Sequence, residues 1–186
     1  MNVKKENPIA VQSKRWLLAA LLDLMEKDDF HSITITQLTQ HAGLDRKTFY
    51  RNFHTKEDVL NLKLQELFQC YLKSLQTLSQ LSAYTVSKAY FDICTANIHF
   101  LKLLNRQNLL PLALSKFNEY LPVLNDVFRS VPAYRNKSKY ELFYQAGGFW
   151  NVTIQWLHNG GMETAEELAD IISSIMPAVL DHTPCI

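Results

Sequence analysis

The chain has 186 residues, of which 47% are hydrophobic and 20% are charged, and its formal net charge is +1. This composition is typical of a globular protein with its own core, and it excludes disordered and collagen-like chains. A net charge this small does not indicate a polybasic protein, so any charged binding surface has to be local. The longest apolar run, Trp16 to Leu22, is too short to span a membrane, and no signal-like segment precedes it. We therefore expect a cytoplasmic protein without a membrane partner.

Helical periodicity dominates the chain. Apolar residues recur at spacings of three and four over most of its length, and no stretch of alternating polarity predicts a strand. Residues 1–12 lack this spacing and are predicted to form a flexible tail. We expect an N-terminal domain over residues 13–75, with three helices and a connecting fourth, and a helical C-terminal domain over residues 76–186. The predicted fold is all-α, with about nine helices.

Capping residues delimit the N-terminal helices. Thr34 and Gln37 have the spacing of a capping box, and Gly43 is suited to end the short helix that follows. Asp45 then caps a second short helix, so the pair has the sequence form of a helix-turn-helix. Thr55 opens a longer helix that stays periodic to about residue 75.

Prolines divide the C-terminal region. We expect helices over about residues 83–104, 137–158 and 164–180. Between the first and the second of these helices, two shorter segments near residues 109–116 and 118–130 are interrupted by Pro111, Pro122 and Pro132.

Positive charge is concentrated in and just after the second short helix. From Arg46 to Lys56 the chain has four cations and no acid. Thr48 and Tyr50 lie among them and supply hydroxyl groups that suit phosphates or base edges. A helix that is basic outside, anchored by aromatic residues inside and preceded by a tight turn suits the major groove of DNA. The alternative, a solvated charged surface, is less favoured because no acid lies among the cations.

The same stretch resembles the DNA-binding domain of the TetR/AcrR family of bacterial transcriptional regulators. The resemblance rests on the run AGLDRKTFYRNFHTKE. The family pattern is matched at the turn glycine Gly43, the triplet Thr48–Tyr50, Phe53 and the pair Lys56–Glu57. Asp45 stands where the family usually has serine, and both residues are good helix N-caps.

The resemblance implies a role for each matched position. The second short helix would enter the major groove, where its side chains reach bases or backbone, while Tyr50 and Lys56 would contact phosphates. Thr34 would donate its backbone N–H to the same DNA strand. The predicted DNA-binding residues are Thr34, Arg46, Lys47, Thr48, Tyr50, Arg51 and Lys56.

The resemblance also implies that the C-terminal domain binds a ligand and pairs with a second copy. The candidate pocket residues are Tyr90, Phe91, Cys94, His99, Tyr144 and Trp150. The candidate dimer-interface residues, in the last two helices, are Gly148, Val152, Trp156, Ile171 and Ile175. For both sets the alternative is that the apolar side chains fill the core of one subunit.

These observations predict a transcriptional regulator, most simply a repressor, that binds a near-palindromic double-stranded operator as a homodimer. A small apolar or aromatic ligand, or a protein partner, would control it. The alternatives are an activator that responds to a protein partner and a helical dimeric interaction protein that does not read DNA. The sequence contains no catalytic motif, and its six histidines and three cysteines have no metal-ligand spacing. We expect no enzymatic activity, metal or cofactor.

Overall fold

The computed structural model describes residues 7–129 and 138–176. Over these two ranges the chain forms nine helices and no strand, which confirms the predicted all-α fold. The helices are α1 (Pro8–Met25), α2 (Ile35–His41), α3 (Arg46–Asn52), α4 (Lys56–Thr77), α5 (Ala83–Ala96), α6 (Ile98–Arg106), α7 (Leu110–Arg129), α8 (Lys139–His158) and α9 (Ala165–Ile175).

Helix α1 begins earlier than the sequence pattern predicts. The side chain of Asn7 accepts a hydrogen bond from the Ile9 N–H at 3.0 Å, and Pro8 occupies the first helical position. Both features favour a helix start, since the capping oxygen satisfies a free N–H and proline needs none. The prediction of a flexible tail is therefore wrong for residues 8–12, while residues 1–6 lie outside the described residues.

Two predicted helix boundaries in the C-terminal half also differ. The predicted helix over residues 83–104 is divided into α5 and α6 because the backbone leaves the helical conformation at Asn97 (φ −121°, ψ 25°). Conversely, the two segments predicted near residues 109–116 and 118–130 form the single helix α7. Pro122 lies on the exposed side of α7, and Pro111 lies in its first turn, where a missing N–H costs little. Pro132 and residues 177–180 lie outside the described residues.

The chain divides into two compact units. The N-terminal unit comprises Met1–Glu66 together with Arg106–Asn108, and the C-terminal unit comprises Leu67–Asn105 and Leu109–Ile186. The division falls inside α4, which also contains the predicted domain boundary at residue 75. The short segment Arg106–Asn108 has no counterpart in the predicted domains.

The N-terminal unit is a small helical domain in which α1, α2 and α3 pack against one another. Its core consists of apolar side chains without solvent exposure, at the helical spacing that the sequence shows. They are Leu17, Leu21, Met25, Phe30, Leu38, Phe49, Val59 and Leu60. This packing fixes α3 by its inner face and leaves its outer face in solvent.

The C-terminal unit contains two clusters of buried apolar residues. One is built around Phe68, Tyr71 and Leu121, and the other around Phe91, Trp156 and Leu168. Helices α5 and α9 pack closely in the second cluster. Among the helices of the described ranges, none is long and apolar enough to cross a membrane.

Candidate DNA-binding surface

Helix α2 begins at a complete capping box. The Gln37 N–H donates to Thr34 Oγ1 at 3.2 Å, and the Thr34 N–H donates to Gln37 Oε1 at 2.9 Å. This confirms the local prediction for the start of α2. The predicted donation of the Thr34 N–H to a DNA strand would require Gln37 to release it, because that N–H is already bonded inside the chain.

The turn between α2 and α3 depends on Gly43. Its φ of +65° lies in the left-handed region, which side chains with a Cβ rarely adopt. The Leu44 N–H then donates to the Thr39 carbonyl at 2.9 Å, which closes the end of α2. The turn residue that the sequence predicts is therefore the one that the backbone requires.

Helix α3 is held in place by its cap and its aromatic inner face. The Asp45 carboxylate accepts a hydrogen bond from the Thr48 N–H, and this bond lowers the pKa of the Asp45 carboxyl below its usual value of 3.8. The cap therefore stays ionised into mildly acidic conditions. Phe49 is fully buried and Phe53 is 7% exposed, and their rings lie 6.0 Å apart. These contacts set which side of α3 faces solvent.

The outer face of α3 carries the predicted cations. Arg46, Lys47, Tyr50 and Arg51 are exposed, and the guanidinium carbon of Arg46 lies 6.0 Å from the centroid of the Tyr50 ring. None of the ion pairs among the described residues involves Arg46, Lys47 or Arg51. Thr48 is half-buried. The charges of Arg46, Lys47 and Arg51 are therefore directed to solvent, where a polyanion can reach them.

Lys56 has a different environment from the other predicted DNA-binding cations. Its ammonium group donates to the carbonyl oxygens of Phe30, His31 and Ile33, the last two at 3.0 and 2.9 Å. It also lies 4.6 Å from the centroid of the Phe30 ring. Burial lowers the pKa of this ammonium group, against the opposing effect of Glu57 and then Asp29. An ammonium group has three N–H donors, and here they are directed to three carbonyls, so Lys56 is a clamp inside the N-terminal unit. The predicted phosphate contact would require Lys56 to release at least one of these carbonyls.

Gln107 is a second clamp on the same part of the chain, and no sequence motif marks it. Its Nε2 donates to the carbonyls of Met25 and Asp28 at 2.6 and 2.9 Å, and its Oε1 accepts from the Phe30 N–H at 2.9 Å. The side chain is buried, with 8% of the residue exposed. Gln107 and Lys56 together bind five carbonyls and one N–H between Met25 and Ile33, which we call the α1–α2 connection.

Only three of the predicted ligand-pocket residues, Tyr90, Phe91 and Cys94, come together in the C-terminal unit. A cavity of about 40 Å³ is lined mainly by apolar side chains of α4, α5, α7 and α8, and Tyr90 lines it. Phe91 and Cys94 lie in the second apolar cluster, and burial raises the pKa of the Cys94 thiol to about 12. His99 and Tyr144 are exposed, and Trp150 is half-buried.

His99 and Tyr144 do not line this cavity, and Tyr144 lies instead on a groove formed by residues of α8 and α9. The break at Asn97 starts a new helix, α6, whose buried face consists of Phe100, Leu101, Leu103 and Leu104. His99 falls on the opposite face. Phe117 and Gln145, which are not among the six candidate residues, line the cavity with Tyr90.

The predicted interface residues share one exposed face, with one exception. Gly148, Ile171 and Ile175 are exposed and Val152 is half-buried. Trp156 is only 2% exposed, and its indole N–H donates to the Glu163 carbonyl at 3.1 Å. Trp156 is therefore a core residue and not an interface residue, because the turn between α8 and α9 covers its ring.

A helix-turn-helix with an exposed basic outer helix has the geometry of a DNA-binding element. Residues 17–62 match the family described as "Bacterial regulatory proteins, tetR family". The match extends from within α1 to the first turns of α4 and covers less than half of the chain, so it shows a resemblance of this region to the DNA-binding domain of that family. The comparison with curated proteins finds no match.

Two solved structures are similar in fold to most of this chain. One is the fatty acid degradation regulator FadR from Bacillus halodurans, with a TM-score of 0.63 and 15% identity over 97% of this chain and 99% of that chain. Another is the transcriptional regulator FadR from Bacillus subtilis in complex with stearoyl-CoA, with a TM-score of 0.60 and 14% identity over 90% of this chain and 97% of that chain. At these identities the likeness shows a common fold.

Proposed function

We propose that this regulator is a repressor that binds a near-palindromic operator as a homodimer, through the outer face of α3. The observation that carries the proposal is the exposed group formed by Arg46, Lys47 and Arg51. These cations form no ion pair with an acid in the described part of the chain. They are attached to a helix whose inner face is buried, so their geometry is set by the fold. Such a helix can enter a major groove without rearrangement.

Lys47 provides the direct test of DNA reading. Lys47→Ala is expected to weaken operator binding by about 1–3 kcal/mol, or roughly 5- to 150-fold, because a base contact would be lost. Fluorescence anisotropy with DNA flanking the gene, against a scrambled duplex, measures this ratio. Lys27→Ala is the matched control, since Lys27 is an exposed cation of the same unit outside α3.

Two outcomes contradict this part of the proposal. If the wild type binds the flanking DNA no better than the scrambled duplex, the chain is an interaction protein that does not read DNA. If deleting the gene lowers neighbouring transcripts instead of raising them, the chain is an activator.

The exposed face of α8 and α9 supports the homodimer. Phe143, Tyr144, Ile171 and Ile175 are between 44% and 84% exposed, which is unusual for apolar residues clustered on two adjacent helices. A second copy can cover this face by twofold symmetry, because each chain then offers and receives the same surface. Two chains are also what a palindromic operator requires.

Ile175→Glu tests the dimer. A buried, unpaired carboxylate opposes association, so sedimentation at micromolar concentration is expected to show a monomer for the variant and a dimer for the wild type. Met162→Glu is the control, because Met162 is 82% exposed but lies in the turn before α9. A monomeric wild type, or a dimeric Ile175→Glu, contradicts the proposed interface.

We further propose that an apolar chain is the controlling ligand, since the cavity that Tyr90 lines is mainly apolar. The FadR from Bacillus subtilis is in complex with stearoyl-CoA. A cavity of about 40 Å³ has no room for such a chain, so the ligand would favour a conformation with the helices further apart. In the anisotropy assay, stearoyl-CoA is expected to release the operator and free coenzyme A is not. If neither has an effect, a protein partner becomes the better explanation.

A further inference from the structure

A hydrogen-bonded pair of hydroxyl groups lies in the apolar interior of the C-terminal unit. The hydroxyl oxygen of Tyr90 on α5 lies 2.9 Å from Oγ1 of Thr153 on α8. Thr153 is 2% exposed, and its Oγ1 donates to the Phe149 carbonyl at 2.9 Å. A threonine hydroxyl has one hydrogen, so Tyr90 is the donor and Thr153 the acceptor in the bond between them.

The Tyr90 hydroxyl is a neutral donor at physiological pH. Burial raises the pKa of this hydroxyl well above its usual value of 10.0. The thiol of Cys94, one turn further along α5, is also neutral, because burial raises its pKa to about 12 and hydrogen bonding with Tyr90 and Thr153 opposes this only in part. A buried donor of this kind is costly to leave without an acceptor.

The Tyr90 ring is also part of the cavity wall. Its centroid lies 5.9 Å from that of Tyr71, 6.3 Å from that of Phe117 and 5.2 Å from that of Phe149. All four rings line the cavity of about 40 Å³. Because an alkyl chain does not fit this volume, a chain that enters has to displace side chains of the wall. Tyr90 contacts the other three rings, so opening this part of the wall moves Tyr90 and breaks its bond to Thr153.

The two partners lose different things when this bond breaks. Thr153 keeps its own donation to the Phe149 carbonyl and gives up only an accepted hydrogen bond. Tyr90 is left with a buried O–H that needs a new acceptor. A ligand with a carbonyl oxygen at the end of its apolar chain supplies that acceptor, and a purely alkyl chain does not. The direction of the hydrogen bonds therefore favours a ligand that carries a carbonyl.

We propose that Tyr90 exchanges Thr153 for the acyl carbonyl oxygen of the ligand, so that its O–H group selects acyl chains over alkyl chains. This inference rests on the proposed apolar-chain ligand and names the chemical group by which the protein recognises it. It makes Tyr90 a ligand-binding residue and Thr153 its partner in the ligand-free protein.

The test compares stearoyl-CoA with S-octadecyl-CoA, the thioether that has a methylene group in place of the carbonyl. Isothermal titration calorimetry on the protein without DNA gives the Kd of each ligand. The wild type is expected to bind the thioether at least about 5-fold more weakly, because the buried Tyr90 donor is then unpaired. Tyr90→Phe keeps the ring and removes the donor, so its two Kd values are expected to agree within about 2-fold.

Two further variants complete the test. Thr153→Val removes the acceptor that competes with the ligand and keeps the Tyr90 donor. It is expected to bind stearoyl-CoA roughly 2- to 12-fold more tightly than the wild type and to keep the preference for it. Tyr84→Phe is the matched control and is expected to match the wild type, since Tyr84 is half-buried on the same helix but is not among the residues that line the cavity.

The outcomes separate this inference from the proposed ligand. If the wild type binds both ligands equally, or if Tyr90→Phe keeps the preference, Tyr90 does not donate to the carbonyl and the inference is wrong, while an apolar-chain ligand stands. If Tyr90→Phe does not fold, an unchanged affinity of Thr153→Val for stearoyl-CoA contradicts the exchange. If neither ligand binds the wild type, the proposed ligand and this inference are both wrong.

Discussion

Replacing Gln107 with leucine is expected to lower the free energy of unfolding of the N-terminal unit by about 3–5 kcal/mol, because three backbone groups lose their partner. The Phe30 N–H loses its acceptor, and the carbonyls of Met25 and Asp28 lose their donor. Leucine is close to glutamine in size, so the loss reports hydrogen bonds more than packing. Urea denaturation followed by far-UV circular dichroism measures the change.

Gln12→Leu is the matched control for Gln107→Leu. Gln12 is exposed on α1 in the same unit, and its replacement is expected to change stability by less than about 0.5 kcal/mol. Gln107→Glu separates the two roles of the amide. It keeps an acceptor for the Phe30 N–H but places a carboxylate against two carbonyls, so we expect it to be destabilising as well. A stability for Gln107→Leu equal to that of Gln12→Leu would contradict the role assigned to Gln107.

The second large effect is expected at Lys56. Lys56→Met keeps most of the aliphatic side chain but removes three hydrogen bonds to the carbonyls of Phe30, His31 and Ile33. Hydrogen bonds from a charged donor contribute about 1.5–3 kcal/mol each and are not additive here, so we expect a total loss of about 2–4 kcal/mol. The measurement is the same urea titration, with Lys63→Met on α4 as the control.

The DNA-binding behaviour of Lys56→Met distinguishes a clamp from a phosphate ligand. Below its unfolding transition, a variant that has lost only an internal clamp keeps the salt dependence of the wild type. If Lys56 instead contacted a DNA phosphate, the variant would lower the slope of log Kd against log salt concentration by about 0.9 and leave the free energy of unfolding nearly unchanged. A stable Lys56→Met with a flattened slope would therefore restore the role that the sequence resemblance implies and overturn the one that the structure gives.

Gln107 and Lys56 act on the same stretch of chain, the α1–α2 connection from Met25 to Ile33. This stretch also has short-range hydrogen bonds of its own, such as the Ser32 N–H donating to the Asp29 carbonyl at 3.0 Å and the His31 N–H donating to the Asp29 carboxylate at 2.7 Å. The side chain of Phe30, which lies within this stretch, is fully buried. Gln107 and Lys56 therefore hold this stretch from distant parts of the sequence, and Arg106 adds hydrogen bonds to the carbonyls of Met25 and Glu26.

The local structure of the candidate site was predictable from the sequence. The capping box of Thr34 and Gln37, the turn at Gly43 and the cap at Asp45 are all confirmed. Each depends on a backbone conformation or a hydrogen bond that closes within three residues, so residue type and spacing are enough to identify it. The density of positive charge on α3 was predictable from the sequence for the same reason, since neighbouring residues of one helix share its surface.

Other features depended on tertiary contacts. Lys56 finds its carbonyl partners 23 to 26 residues away, and Gln107 finds its partners 77 to 82 residues away. Trp156 has the helical spacing of an interface residue but is covered by a turn. The sequence by itself determined the caps of α2 and α3, the all-α class and the basic helix, because short-range geometry encodes them. Only the tertiary structure decided which cation is a clamp and which can face DNA, because burial and long-range hydrogen bonds arise when the helices pack.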